Sequence, residues 1–254
     1  MSKGIYAAAS AMVVETRALE ITARNLAHAQ SPGWKKEVFL RSSFAQELAS
    51  RGRQGDVKGD GGAGVLPQGG SFVFTPGSKE FTGGTFDVAI EGDGFFRVRN
   101  QQGEMLLTRA GQFTTDEQGN LVDVHGWAVE GQAGPITIPA DAVKVQILND
   151  GSIMAEKLEQ GKVTATLVDR LRLTRVDDPT TLTARNGQYF QPGTQPMQDA
   201  TAEVRQGYLE RGNVEAVQEL VSMIAIQRRY EAAQKALREQ SQAGSGLSDM
   251  LRGA

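Results

Sequence analysis

Few side chains in this sequence are equipped for chemistry. The chain has two histidines, His28 and His125, and no cysteine. Disulfides, thiolate metal sites and thiol nucleophiles are therefore excluded. Neither histidine stands in an HExxH spacing, which would put two ring nitrogens on one helix face for zinc. His28 falls near the end of an amphipathic N-terminal segment, where a cation suits the helix dipole. His125 precedes Gly126 in an expected turn, and both histidines read as polar surface positions. The acidic runs "EGDG" (91–94) and "DEQG" (116–119) lack the alternating oxygen ligands and terminal glutamate of a calcium loop. Turn chemistry explains both. The glycines of residues 50–70 are not followed by Gly-Lys-Ser/Thr and a helix, as a phosphate-cradling loop requires. No GxSxG elbow or paired-carboxylate motif is present. The expectation is a protein that is not an enzyme and uses no cofactor or metal.

The elements that would position any site are clearer. Ile5, Met12, Leu19 and Leu26 recur every seven residues, with small residues between them. That repeat predicts a helix packing along a narrow seam. The segment leads into "NLAHAQSPGWKKE" (25–37). There Pro32 cannot donate to a helix, Gly33 tolerates unusual backbone angles, and Trp34 is presented directly after. Residues 36–70 read as a Gly-rich connector, weakest at 50–70. From 71 to 209 the sequence reads as short strands and turns. "FDVAIEGDGFFRV" alternates Phe86, Val88 and Ile90, then Phe95, Phe96 and Val98, around a glycine-rich break. Gly119-Asn120, Gly126-Trp127, Asp150-Gly151 and Asn186-Gly187 mark turns between strands.

The chain then returns to helix. Val214, Val217, Val221 and Ile224 step by three and four, Leu220 and Met223 widen the stripe, and Asn213 is placed to cap the first turn. The fold class expected is α+β, with N- and C-terminal helices pairing in a coiled-coil-like manner and a central antiparallel β-rich domain. Residues 1–35 and 210–254 form the helical part. Short isolated helices are marginal in water, so each end needs the other, or copies from other subunits.

Composition narrows the partners. Across 254 residues, 30 glycines against 8 prolines favour many tight turns, and a net charge of -3 offers no basic field for nucleic acid. No run of about 18 apolar residues exists to span a membrane. The N-terminal residues show no uninterrupted apolar stretch with a cleavage site, so any export is expected to proceed without a cleaved signal peptide.

"NLAHAQSPGWKKE" resembles the N-terminal signature of bacterial flagellar rod and hook proteins: N-L-A-N, two variable residues, T-P-G, an aromatic and a basic residue. Asn25, Leu26, Ala27, Pro32, Gly33, Trp34 and Lys35 match it, while His28 and Ser31 depart from it. "TGGTFDVAIEGDGFFRV" is similar to that family's T-G and D-x-A-I-x-G-x-G-F-F segment. "LTRAGQFTTDEQGNLV" is similar to its T-R-x-G-x-F and D-x-x-G-x-L-V hairpin. "GNVEAVQELVSMIAIQRRYEAAQKAL" resembles its C-terminal helix, with Glu215 where Asn or Asp is common. The ending "RRYEAAQK" and the short gap between "GWAVEG" and "GPITIP" favour the proximal rod branch over the distal one.

The resemblance implies a structural subunit of the periplasmic flagellar rod, exported by the flagellar type III apparatus. Its partners would be copies of itself and other rod proteins, and its task the transmission of torque from motor to hook. It implies an assembly interface at Ile5, Met12, Leu19 and Leu26 and at Val214, Val217, Leu220, Val221 and Ile224. Pro32, Gly33 and Trp34 would form a corner that stops the helix. A distal rod or hook-type subunit, a cell-wall-binding β module with helical arms and a peptidoglycan hydrolase are the competing readings. The hydrolase lacks a recognisable acid pair.

Overall fold

A computed structural model describes residues 2–43, 65–159, 161–193 and 196–252. The chain divides into two compact units, one of residues 1–27, 37–72 and 215–254, the other of 28–36 and 73–214.

The first unit holds helix α1 (Ser2–Ala27), helix α2 (Ala216–Arg252) and the strands β1 (Glu37–Ser43) and β2 (Val65–Phe72). The two helices pack on each other. Arg229 Nε donates to Glu15 Oε1 at 3.1 Å, and the space beside Gly4 is taken by the Gln240 side chain. Eleven residues separate both 4 from 15 and 229 from 240, in opposite senses, so the helices run antiparallel. The row of α1 that is buried is Ala8, Glu15 and Thr22, with Ala18 and Asn25, and with Val14 and Ile21, each set spaced by seven. The heptad of the sequence is present, then, but turned by about one position from Ile5, Met12, Leu19 and Leu26, which are only half-buried.

β1 and β2 pair antiparallel, and α1 packs on both. Residues 65–70, read from the sequence as part of a connector, lie in β2; the rest of the 50–70 stretch lies outside the described residues. Asn25 fastens this hairpin to the helix. Its buried amide donates to Glu37 C=O at 2.8 Å and accepts from Glu37 N–H at 3.0 Å, as a neighbouring strand would. Arg24 adds an ion pair to the Glu37 carboxylate at 2.8 Å.

The second unit is antiparallel β. Its strands begin with β3 (Lys79–Phe81), β4 (Val88–Glu91), β5 (Phe95–Arg99), β6 (Met105–Thr108), β7 (Phe113–Thr115), β8 (Leu121–Asp123) and β9 (Ala128–Val129). They continue with β10 (Ala142–Ile147), β11 (Ser152–Glu159), β12 (Lys162–Arg170) and β13 (Leu173–Arg175). The last are β14 (Thr183–Ala184), β15 (Tyr189–Gln191), β16 (Gln198–Asp199), β17 (Glu203–Gln206) and β18 (Tyr208–Glu210). The largest sheet runs β14-β15-β6-β5-β9-β8-β7, with β13 joining β5 and β16 joining β13. A separate sheet runs β10-β11-β12, and two pairs, β17 with β4 and β18 with β3, complete the unit.

All four turns expected from the sequence join strands, and Gly119, Gly126, Gly151 and Gly187 adopt φ between 76° and 85°, the left-handed region that glycine enters freely. β4 and β5 do not keep the alternation expected of half-buried strands. Val88, Ala89 and Ile90 are all buried, as are Phe95, Phe96, Arg97 and Val98, because both faces are covered. Val88, Ile90, Phe96, Val98, Leu121 and Ile153 join one core. Phe95 faces the other way, against Phe74 and Phe190 at ring distances of 5.8 and 6.3 Å.

His125 lies exposed in the β8–β9 turn, as expected. Its Nδ1 is 3.0 Å from the Tyr189 hydroxyl, which donates to Asp123 Oδ2 at 2.8 Å. Burial, then the Asp123 charge, push the Tyr189 hydroxyl well above its ordinary value of 10.0. A raised folded pKa stabilises the fold fully below the unfolded value, and the gain is lost as pH climbs towards the folded one. Above pH 10 this tyrosine should remove up to about 1.4 kcal/mol per pH unit. Unfolding titrations should show that slope reduced in Tyr189→Phe.

Candidate functional site

The corner residues 28–36 belong to the β-rich unit. α1 ends at Ala27, five residues before Pro32, so the proline follows the stop instead of making it. Two successive turns carry the chain forward, with Ser31 N–H donating to His28 C=O at 3.0 Å and Trp34 N–H to Ser31 C=O at 3.4 Å. Pro32 C=O accepts from Gln188 Nε2 at 2.7 Å. Gly33 has φ 69°, and a Cβ there would run into the backbone of Arg109 and Ala110. Its N–H donates to Glu210 C=O at 2.8 Å.

Glycine is required at this position twice over. Gly33→Ala should cost about 1–2 kcal/mol from the backbone angle alone, and more from the collision, measured by urea unfolding. A variant carrying it reports on folding. Pro32→Ala alone is the corner variant suited to assembly assays.

Trp34 is buried within its own chain. Its ring stacks on His28, with centroids 3.9 Å apart and planes 8° from parallel. Two glycines make room for it: a Cβ on Gly187 would lie 2.7 Å from Trp34 Cη2, and one on Gly212 would lie 3.2 Å from Trp34 Cβ. Among the described residues its indole N–H meets no acceptor, so the ring holds its place by packing. The backbone on either side is tied down as well, Lys35 N–H to Gly187 C=O at 3.1 Å and Asn213 N–H to Trp34 C=O at 3.3 Å.

Behind the tryptophan lies a buried charge cluster. Lys35 Nζ donates to Glu210 Oε1 at 2.7 Å and to Thr75 C=O at 3.0 Å. Arg109 donates to Glu210 Oε2 at 3.3 Å and to Gly92 C=O at 2.8 Å, and its guanidinium lies over the Phe95 ring at 5.4 Å. Gly77 N–H also donates to Glu210 Oε1, at 3.1 Å. Lys35, Arg109 and Glu210 are all almost fully buried, so one carboxylate answers two cations. Burial holds the Lys35 ammonium below its ordinary pKa, and the Glu210 charge opposes that shift without cancelling it. Burial lowers Arg109 in the same way, again opposed by Glu210.

Asn213 corrects one expectation. α2 starts at Ala216, and the Asn213 side chain does not cap it. It accepts from Lys36 N–H at 2.6 Å and donates to Val73 C=O at 2.7 Å and Thr75 C=O at 3.1 Å. Lys35, Arg109 and Asn213 come from three of the four sequence motifs, and the fold brings them to one corner. Glu210 was not singled out by sequence, and Gly187 and Gly212 only as part of a turn and of the C-terminal motif, not as neighbours of Trp34. Their partners stand far away in the chain, and no local spacing announces such a meeting.

The terminal helices present the second candidate surface. On α2 the buried row runs through Glu219 and Ile226, with Met223 and Tyr230 half-buried. Val217, Leu220, Val221 and Ile224 are 47–76% exposed, on the face of α2 opposite to that row. On α1, Tyr6 and Val13 are exposed in the same manner, one heptad apart. Val214 precedes the helix and is buried in the β-rich unit, unlike the exposed residues of the stripe. Among the described residues no group of three His, Asp or Glu side chains is placed to hold a metal, and no helix is long and apolar enough to cross a membrane.

The two terminal helices pack on each other, and α2 leaves an apolar stripe exposed on the face opposite to its buried row. Comparison with known proteins identifies relatives. The profile of the flagellar hook protein FlgE/F/G D1 domain matches residues 89–155, and that of the flagellar basal body rod FlgEFG protein C-terminal region matches 205–243. The chain is 35% identical to the flagellar basal-body rod protein FlgF of Caulobacter vibrioides, over 92% of each chain. It is 31% identical to FlgF of Escherichia coli over 93% of each, and 28% identical to FlgG of Buchnera aphidicola over 91% of this chain and 93% of the relative. This chain belongs to the flagellar basal-body rod protein family, a family of structural proteins.

Proposed function

We infer that the chain is a structural subunit of the proximal, periplasmic part of the bacterial flagellar rod, carrying torque from motor to hook and catalysing nothing. It reaches that place through the flagellar type III export apparatus, and it assembles there with copies of itself and with related rod proteins. The terminal helices, α1 and α2, serve assembly.

One observation carries this reading. The apolar stripe Val217, Leu220, Val221 and Ile224 faces away from α1 and stays exposed. An amphipathic helix that has already buried one face and offers a second apolar face is built to meet another helix. A helical tube needs such heterologous contacts, where one surface of a subunit meets a different surface of the next. Ile5, Met12, Leu19 and Leu26 are half-buried on α1 and can widen the joint. The Pro32-Gly33-Trp34 corner fixes the path of the chain after the first helix.

Deleting the gene and restoring it with a tagged full-length copy tests the reading. Motility should be lost and then recovered, with the tagged chain in purified basal bodies. A motile deletion strain, or a tagged chain held on peptidoglycan without basal bodies, would replace it by a wall-binding module.

A further inference from the structure

The chain crosses between its two units four times, at 27/28, 36/37, 72/73 and 214/215. Each crossing is a single stretch of backbone, free by itself to swing about its φ and ψ. Within the β-rich unit, however, the four ends meet at Gly212 and Asn213. Asn213 Oδ1 accepts from Lys36 N–H at 2.6 Å, and Nδ2 donates to Val73 C=O at 2.7 Å and to Thr75 C=O at 3.1 Å. Lys36 is the last residue before β1 and Val73 the first after β2, and Val73 N–H donates to Lys36 C=O at 2.9 Å. Asn213 N–H donates to Trp34 C=O at 3.3 Å. Gly212 closes on the remaining end, where a Cβ would lie 3.3 Å from the His28 carbonyl oxygen and 3.4 Å from that of Ala29.

The site asks for one group that both gives and takes hydrogens. An asparagine amide does so on a short planar side chain, whereas aspartate has the same shape and no hydrogen to give. Placed here, a carboxylate would set an oxygen against the carbonyls of Val73 and Thr75. At a helix N-cap the two residues are nearly equivalent. Aspartate therefore tells this role from capping. Thr75 C=O also accepts from Lys35 Nζ at 3.0 Å, which ties the amide to the buried cluster of Lys35, Glu210 and Arg109. Hydrogen bonds linked in this way strengthen one another.

We propose that Asn213 is a clasp that makes the four chain exits of the β-rich unit hold and open as one body. A twist delivered through α1, α2 or the β1–β2 hairpin then reaches the β-rich unit through all its connectors together. Bonds set side by side share a load and fail together, while separate connectors give way one after another. Every bond of the clasp lies within the β-rich unit, so the device belongs to that unit alone. Its use in carrying torque rests on the reading of this chain as a rod subunit; the clasp itself does not.

Native-state hydrogen exchange of the full-length parent chain in low urea tests the clasp without any variant. The amides of Lys36, Val73 and Asn213 serve different exits, and they should follow one opening isotherm. Separate isotherms would overturn the proposal. In Asn213→Asp the Val73 and Asn213 amides should exchange about tenfold faster, while those of Leu121 and Ile153 in the core keep the parent rate. Unchanged exchange in that variant, the result a cap would give, also contradicts the clasp. Cells whose basal bodies hold Asn213→Asp should swim at parent speed in dilute medium and lose speed in a viscous one. Equal speed at both viscosities contradicts load sharing through the clasp. Absence of the parent chain from basal bodies is a separate result: it removes the rod reading and the torque with it, and leaves the exchange measurements to decide the clasp.

Discussion

Glu210→Gln is expected to destabilise the β-rich unit by about 3–5 kcal/mol, the usual result of removing one partner from a buried charge pair. The wild-type cluster sets one carboxylate between Lys35, at 2.7 Å, and Arg109, at 3.3 Å. Its neutral replacement keeps the volume and much of the hydrogen bonding, but it leaves two cations facing each other in a buried site. Lysine can relieve this by losing its proton; arginine cannot. Lys35→Met removes one cation and leaves Arg109 and Glu210 as a matched pair, so it should cost no more than about 1–2 kcal/mol. The order of the two variants is the test, and thermal or urea unfolding of the full chain reads it. If both cost the same, the carboxylate is not the centre of the corner.

The second large effect falls on assembly and leaves the fold alone. Val217→Glu combined with Ile224→Glu puts two charges on the exposed face of α2. Exposed substitutions of this kind usually change stability by no more than about 0.5 kcal/mol. If a neighbour covers the stripe, each lost side chain forfeits about 1.5–3 kcal/mol of burial. Together they should weaken association by a factor of about 10²–10⁴. Circular dichroism should be unchanged, while the variant disappears from purified basal bodies. A variant incorporated at the parent level would show that the stripe faces solvent in the rod.

The sequence announced some parts of this structure and was silent on others, and the division follows the range of the interactions. Local signals succeeded. The heptad at the N-terminus, the turn pairs such as Asp150-Gly151 and Asn186-Gly187, and the three- and four-residue steps from Val217 to Ile224 each depend on neighbours a few residues away. Periodicity gave the apolar stripe of each helix but not which face turns inward. The stripe through Val217 and Ile224 read as a seam, yet α2 turns Glu219 and Ile226 inward and leaves that stripe outside.

Long-range features gave no warning. Asn213 looked like a cap because an asparagine before a helix usually is one. Its side chain goes instead to Lys36, Val73 and Thr75, far away in the sequence. Lys35 appeared only as the basic residue of a motif, and the acid that requires it, Glu210, stands 175 residues along the chain. Gly187 and Gly212 matter because Trp34 needs the space. β2 was hidden in glycine-rich sequence because its pairing with β1, not its own residues, makes it a strand.

The most direct measurement is a map of isolated basal bodies fine enough to show side chains of this subunit. Val217, Val221 and Ile224 should each lie within about 4.5 Å of apolar atoms from a neighbouring helix. Those three side chains pointing into open solvent, with α1 and α2 touching no other subunit, would contradict assembly through the terminal helices.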